Sequence, residues 1–253
     1  MQQNEPPVPA LFEAGVFLID KPPGITSFGV VARLRRILKM KKVGHAGTLD
    51  PFATGLLILC AGRPATRIIP QFMEGEKEYL ATLQLGVETT TLDTEGAVTA
   101  RRSVGALSDE AIEECLSRFR GRQLQVPPAY SALKHQGKPL YYYARKGIEI
   151  VKEAREVDIR QLVRTDGNHL LSGEEALLGI RVVCSKGTYI RTLAADIGRD
   201  LGCGAHLIQL RRTRSGCFNV AEGLSWDELS DDAAFDHCIG KMISVDEVCK
   251  LLQ

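Results

Sequence analysis

Apolar residues recur along this chain in two rhythms, and the way the rhythms interleave predicts a mixed α+β protein. Val16-Phe17-Leu18-Ile19 is a short apolar run that stops at Lys21-Pro22-Pro23-Gly24, a strand followed by a turn. Val30, Val31, Leu34, Ile37 and Leu38 then fall at helical spacing behind Thr26 or Ser27, either of which can cap a helix. Leu56–Cys60 has the unbroken apolar character of a buried strand, and Ala65–Met73 reads as a helix. From Glu78 to Leu85 the period is two, with Tyr79, Ala81, Leu83 and Leu85 on one face. Ser108 caps a helix that runs to Arg118, Arg155–Arg164 and Leu177–Cys184 read as strands, and Thr188 caps a helix from about Tyr189 to Leu201. Strands and helices without regular β-α-β alternation predict a mixed, largely antiparallel sheet. Residues 1–14 are expected to be a mobile N-terminal segment. Residues 126–150, polar, aromatic and punctuated by proline, look like an excursion from the scaffold.

Charge refines the picture because it is unevenly placed. The net charge is +1, but residues 222–253 hold eight acidic and two basic side chains. That leaves 30 Lys/Arg against 23 Asp/Glu in residues 1–221, a balance of +7. Arg33–Lys42 contains six basic residues and no acid, and Arg211, Arg212 and Arg214 form a second group. Such patches are the electrostatic footprint of a polyanion site, and a solvated helix face has the same appearance. The longest apolar stretch, Leu56–Ala61, is too short to span a membrane, and the start of the chain carries no secretory pattern. Seven cysteines without a Cys-x-x-Cys pair are expected to be reduced, buried and cytoplasmic.

Several chemistries are disfavoured. His45, His135, His169, His206 and His237 are scattered without metal-ligand spacing, so no metal is expected. Gly44-His45-Ala46-Gly47-Thr48 lacks the Gly-Lys-Ser/Thr of a P-loop, and no Gly-x-Ser-x-Gly elbow is present. What stands out is Gly44-His45-Ala46-Gly47-Thr48-Leu49-Asp50-Pro51-Phe52-Ala53-Thr54-Gly55. The glycines permit positive φ and close approach of a bulky group, and Pro51 keeps Asp50 out of the helical region. One carboxylate is thereby presented from a rigid loop, although an Asp-Pro pair can equally be a cap or an Asx-turn.

Together with Leu18-Ile19-Asp20-Lys21-Pro22-x-Gly24-x-Thr26-Ser27, this loop closely resembles the first two motifs of the TruB family of tRNA pseudouridine synthases. The resemblance continues through Lys77-x-Tyr79, Val126–Lys134, Ser185-Lys186-Gly187-Thr188-Tyr189-Ile190-Arg191-Thr192 and Gly202–Arg212. These motifs span roughly residues 15–220 in family order and look like the bacterial branch, which reads its RNA without a guide.

The resemblance implies a pseudouridine synthase fold, with a mixed, mostly antiparallel central sheet flanked by helices and an active-site cleft across it. It implies a catalytic domain over residues 15–221, with an RNA-gripping insertion at about 126–150. An acidic tail (222–253) stands where relatives commonly carry a PUA-like module, which this chain is expected to lack. The implied reaction converts the T-loop uridine of tRNA, position 55, to pseudouridine by base flipping.

Residue by residue, Asp50 matches the carboxylate that works near C1′ and C6, and Arg191 fits the cation that keeps it ionised. Tyr79 matches the tyrosine that stacks on the flipped uracil, and its phenol could join the proton transfers. Tyr189 and Leu210 match pocket walls, and His45 matches the side chain that fills the vacated place. Lys21 and Pro22 read as a turn that braces the loop, and Asp93 as turn chemistry. No cofactor, guide RNA or obligatory protein partner is implied; the T arm of tRNA is the expected partner of a monomer. Two alternatives stay open: an RNA-folding factor that grips the T arm without using catalysis, and a relative that works within a guide-RNA particle.

Overall fold

The computed structural model describes residues 13–167, 170–173 and 176–252, so most of the expected N-terminal segment, and His169, lie outside the described residues. The first rhythm becomes β1 (Gly15–Lys21), α1 (Ser27–Ile37), β2 (Val43–Ala46) and β3 (Thr54–Ala61). Two short helices follow, α2 (Arg63–Arg67) and α3 (Ile69–Glu74), then β4 (Lys77–Leu85). A single helix over Ala65–Met73 does not form, because Pro70 has no N–H to give and its ring crowds the preceding turn. The chain then forms β5 (Val87–Thr89), β6 (Val98–Arg101), β7 (Val104–Ser108), α4 (Asp109–Arg118) and β8 (Gly121–Gln125). The excursion contains a small hairpin, β9 (Lys134–His135) and β10 (Lys138–Pro139), and helix α5 (Leu140–Ala144). The rest comprises β11 (Arg155–Arg164), β12 (Leu170–Gly173), β13 (Leu177–Cys184), α6 (Ile190–Asp200), β14 (Ala205–Ser215), β15 (Phe218–Asn219), α7 (Ala234–Gly240) and α8 (Val245–Leu251).

Among the described residues, nine strands form one sheet, in the order β1-β3-β14-β4-β13-β11-β8, with β2 on β3 and β15 on β14. All pairings are antiparallel except β14 with β3. The alternation expected from Glu78 to Leu85 is realised in β4, where Tyr79, Ala81, Leu83 and Leu85 are buried, and the apolar run of β1 is buried on both faces. Phe17 and Ile19 enter the larger core with α1 and α6, while Val16 and Leu18 enter a second one beneath, with Phe72 and Val248. At 25 cal/mol per Å2 of apolar surface, each such side chain contributes about 1.5–3 kcal/mol.

Two features position the site. The first is the meeting of β2, β3 and β14: β2 and β3 form a hairpin whose connecting residues carry Asp50, and β14 runs beside the start of β3, with Arg212 opposite Gly55. The second is the acidic tail, which packs onto the body. Leu224 and Ile243 exchange main-chain hydrogen bonds with Leu18, Asp20 and Val16, covering the otherwise open edge of β1. Leu224, Leu229 and Val248 are fully buried.

Candidate active site

Asp50 is held from three sides. Lys21, fully buried, donates through Nζ to the carbonyls of Pro22 (2.8 Å), Ile25 (2.7 Å) and Pro51 (3.0 Å), which ties the end of β1 to the residue after Asp50. Burial lowers this amine to about 8. Ser27, in the first turn of α1, donates to the Leu49 carbonyl (3.0 Å) and accepts from the Leu49 N–H (2.8 Å). Thr26 is the cap of that helix, accepting from Gly29 N at 3.0 Å. The turn itself closes through the main chain, Ala53 N to Asp50 O at 3.1 Å, which leaves the carboxylate to Arg191.

The Arg191 guanidinium grips Asp50 in a fork, Nε to Oδ2 at 2.9 Å and Nη2 to Oδ1 at 3.2 Å. Arg191 is 5% exposed and its remaining donors are used: Nη1 on the Thr91 carbonyl (3.0 Å), Nη2 on the Tyr130 carbonyl (2.8 Å). Burial pushes the Asp50 carboxyl above its ordinary value; Arg191 pulls it back and Asp93 opposes that pull. Asp93 is a site residue that its loop context concealed. It does make a turn, accepting from the Thr91 hydroxyl and from Glu95 N (3.0 Å), but its other oxygen lies 3.2 Å from Arg191 Nη1. An Asx-turn and an ion pair use different oxygens of one carboxylate, and only the first has a signal in local sequence.

A cavity of about 250 Å3 opens in front of this pair. Its lining includes Asp50, Tyr79, Tyr189, Arg191 and Leu210, so five of the six sequence-predicted site residues come together. His45, on β2, is not part of the lining; its Nδ1 is buried without a hydrogen-bond partner, and burial together with Arg212 lowers its pKa. Tyr79 is 9% exposed at the start of β4. Tyr189 is fixed by Gln125, whose side chain accepts from its N–H (2.7 Å) and donates to its carbonyl (3.1 Å). Tyr189, not Thr188, precedes the first turn of α6; the Thr188 hydroxyl instead bonds the Ser185 carbonyl at 3.0 Å. Ser131 also lines the cavity, buried and with an unpaired hydroxyl.

The arginine group of β14 differs from its sequence appearance. Arg212 is buried and donates to the carbonyls of Leu56 (2.7 Å) and Gly47 (3.0 Å). Arg211 forks onto Asp20 at 2.9 and 2.7 Å, and Arg214 bonds the Gly216 carbonyl at 3.0 Å. In the basic helix region, Arg33 holds the Leu229 carbonyl (2.7 Å) and Arg35 the Val43 carbonyl (2.8 Å). Four of these five guanidiniums thus bond main chain and the fifth a carboxylate, which reduces the free positive surface. Among the described residues, no group of three or more His, Cys, Asp or Glu side chains could hold a metal, and no helix is long and apolar enough to cross a membrane.

The chain is similar to known proteins over nearly its whole length. Residues 35–190 match the TruB family pseudouridylate synthase N-terminal domain, and residues 191–245 the tRNA pseudouridylate synthase B C-terminal domain. The chain is 64% identical to a tRNA pseudouridine synthase B from Desulfotalea psychrophila, covering 96% of this chain and 98% of that one. It is 52% identical to one from Chromobacterium violaceum over 82% of this chain and 65% of that one. Among solved structures, a chain of a Cbf5-Nop10-Gar1 complex superposes with a TM-score of 0.69 at 29% identity, covering 94% of this chain and 62% of that one. The chain with Asp50, Arg191 and Tyr79 about one cavity therefore belongs to the TruB family of pseudouridylate synthases.

Proposed function

We propose that the uridine isomerised is the T-loop uridine at position 55 of tRNA, and that the protein acts in the cytoplasm without a guide RNA or a cofactor. The observation that carries the reading is the forked Asp50–Arg191 pair facing a cavity walled by Tyr79. The target nucleotide leaves its stack, at a cost of a few kcal/mol, to reach a carboxylate set this deep. The uracil stacks on Tyr79, an interaction that contributes about 1–3 kcal/mol. Asp50, ionised beside Arg191, supplies the negative group at C1′ or C6 while the N1–C1′ bond breaks with its electron pair going to N1. The base turns, C5 bonds to C1′, the C5 proton leaves, and N1 takes a proton from water. Asn at position 50 would keep the shape and lose the nucleophile.

The stand-alone reading is supported by the 64% identity to a tRNA pseudouridine synthase B, against 29% for the chain seen in a Cbf5-Nop10-Gar1 complex. The test is a tRNA transcript tritiated at uridine C5. One tritium per tRNA should pass to water with the purified chain alone, and none from a transcript with cytidine at position 55. Release from that second transcript overturns the position, and no release without added guide RNA overturns the stand-alone reading.

A further inference from the structure

Arg212 is the unusual charge of this molecule. It is 2% exposed, yet among the described residues no carboxylate pairs with it; its bonds go to the carbonyls of Leu56 and Gly47. Arg191, a similarly buried arginine in the same cavity wall, has two carboxylates. Burying an unpaired cation is costly, and an arginine cannot escape by losing its proton. The chain also makes room for it. A Cβ on Gly47, at φ +81°, would stand 3.3 Å from Arg212 Nη1, and one on Gly55, at φ +98°, would collide with the Arg212 carbonyl oxygen. The two glycines that mark the Asp50 loop in sequence thus admit Arg212.

Register says what the charge faces. In the sheet Arg212 lies opposite Gly55 on one side and opposite Tyr79 on the other. Opposite residues of an antiparallel pair carry their side chains on one face, and those of Arg212 and Tyr79 both line the cavity, so the guanidinium charge acts on the phenol across that face. The other ionisable groups about the phenol are Asp50 and Cys184, and Lys77 and His45 also face Arg212. Lys77 cannot serve as a counter-charge, being itself a buried cation that donates to the carbonyls of Met73 (2.6 Å) and Gly75 (2.5 Å).

We propose that Arg212 is a positioning residue whose uncompensated charge makes Tyr79 the acceptor of the C5 proton. The proposal rests on the reading of Tyr79 given above. Burial pushes the Tyr79 phenol up and Arg212 pulls it back, so the guanidinium raises the population of phenolate. The phenol first gives its proton to water. After C5 has bonded to C1′, the phenolate oxygen takes the C5 proton and the C5–H electron pair restores the ring double bond. N1 gains a proton from water, and the phenol is the form left at the end of the cycle.

The test compares Arg212→Gln, which keeps donors and loses the charge, with Arg212→Lys, which keeps the charge and loses the fork. Single-turnover rates are measured on tRNA carrying hydrogen or deuterium at the target C5, beside melting temperatures and the same substitutions in a Tyr79→Phe background. Arg212→Gln should slow turnover by about tenfold or more, within the range of a general acid–base contribution, and should raise the C5 isotope effect. Arg212→Lys should stay within a few fold, and in the Tyr79→Phe background the cost of Arg212→Gln should vanish. A full cost in that background, or a slow Arg212→Gln chain with an unchanged isotope effect, overturns the proposal. A Tyr79→Phe chain near wild-type rate overturns the reading of Tyr79 beneath it, a result independent of any change at Arg212. If Arg212→Gln does not fold, Arg212→Lys decides: a melting temperature near wild type with a rate lowered tenfold overturns the proposal, and a near wild-type rate supports it.

Discussion

The loop at Asp50 and the excursion at residues 126–150 are both irregular segments at the same cavity, and they are held in opposite ways. The Asp50 loop is fastened to β1 by Lys21, to α1 by Ser27, to β14 by Arg212 and to α6 by Arg191. Four elements distant in sequence over-determine one carboxylate. The excursion is fastened to the body at its root, where Arg191 holds the Tyr130 carbonyl and Thr192 reaches the Val126 carbonyl at 3.4 Å. Beyond the root it packs mainly on itself: Lys138 and Lys146 each lie 4.5 Å from the Tyr142 ring, and Arg145 lies 5.4 Å from that of Tyr141. Bond making needs a group fixed before substrate arrives, because reorganisation in the transition state costs rate. Gripping a folded RNA needs a surface that can adjust. Arg191 belongs to both regions, so the root of the excursion and the state of Asp50 share one guanidinium.

The sharpest way to break this division is Asp50→Asn. Turnover should fall by at least about four orders of magnitude, the scale seen when a nucleophile is removed, while the tRNA dissociation constant stays within a few fold. Single-turnover kinetics beside filter binding gives both numbers. A tenfold loss of affinity would mean that the loop also carries binding.

Arg191→Ala comes next. Removing one partner of a buried ion pair costs about 3–5 kcal/mol. The Asp50 side chain is 32% exposed, so water recovers part of this. About a hundredfold in rate is expected, and less for Arg191→Lys, which keeps the charge but not the fork. The sign of the pH effect follows from Asp50, whose carboxyl burial raises and Arg191 lowers. Without the cation it rises further, the ionised form appears at higher pH, and the acidic limb of kcat/KM moves toward alkaline pH. Asp93→Asn should move that limb the other way, because Asp93 raises the Asp50 carboxyl, with a loss at pH 7.5 of about tenfold from a less firmly seated Arg191. Limbs that shift in the same direction for both substitutions would show that the three groups are not one network.

Much of the fixed region was legible because its signals are local. The Asp50 loop, the cap at Thr26, the brace at Lys21 and the alternation in β4 each announce themselves within a few residues. β14 did not. Its inward and outward sequence is broken by irregularities between Leu207 and Gln209 and between Arg212 and Arg214, and its arginines resemble a surface patch. Nothing within the run Leu210–Arg214 says that Arg212 points into the protein; that follows from its register against β3 and β4, where Gly55 leaves room for its backbone and Gly47 for its guanidinium, more than 150 residues earlier. Asp93 was concealed for the same reason, since its partner Arg191 lies on another element. The acidic tail reads as charge, and its buried apolar residues, among them Leu224, Leu229 and Val248, hold it to the body.

The smallest expected effect tests the other side of the comparison. Lys138→Ala with Lys146→Ala removes both cations from Tyr142, at a site exposed enough that stability should hardly change. If the excursion grips phosphate, affinity for tRNA should fall by roughly threefold to tenfold at low salt. The slope of log affinity against log salt should flatten by about 0.7–0.9 for each phosphate no longer neutralised. The rate at saturating tRNA should stay as it was, because no group near Asp50 has moved. Hydrogen exchange across residues 126–150 should slow when tRNA binds to the wild-type chain, and slow less in the double variant. Unchanged affinity, salt slope and exchange would reduce these lysines to a stack on Tyr142. A lower rate at saturation would place the excursion within the chemistry, with the shared Arg191 as the connection between the two regions.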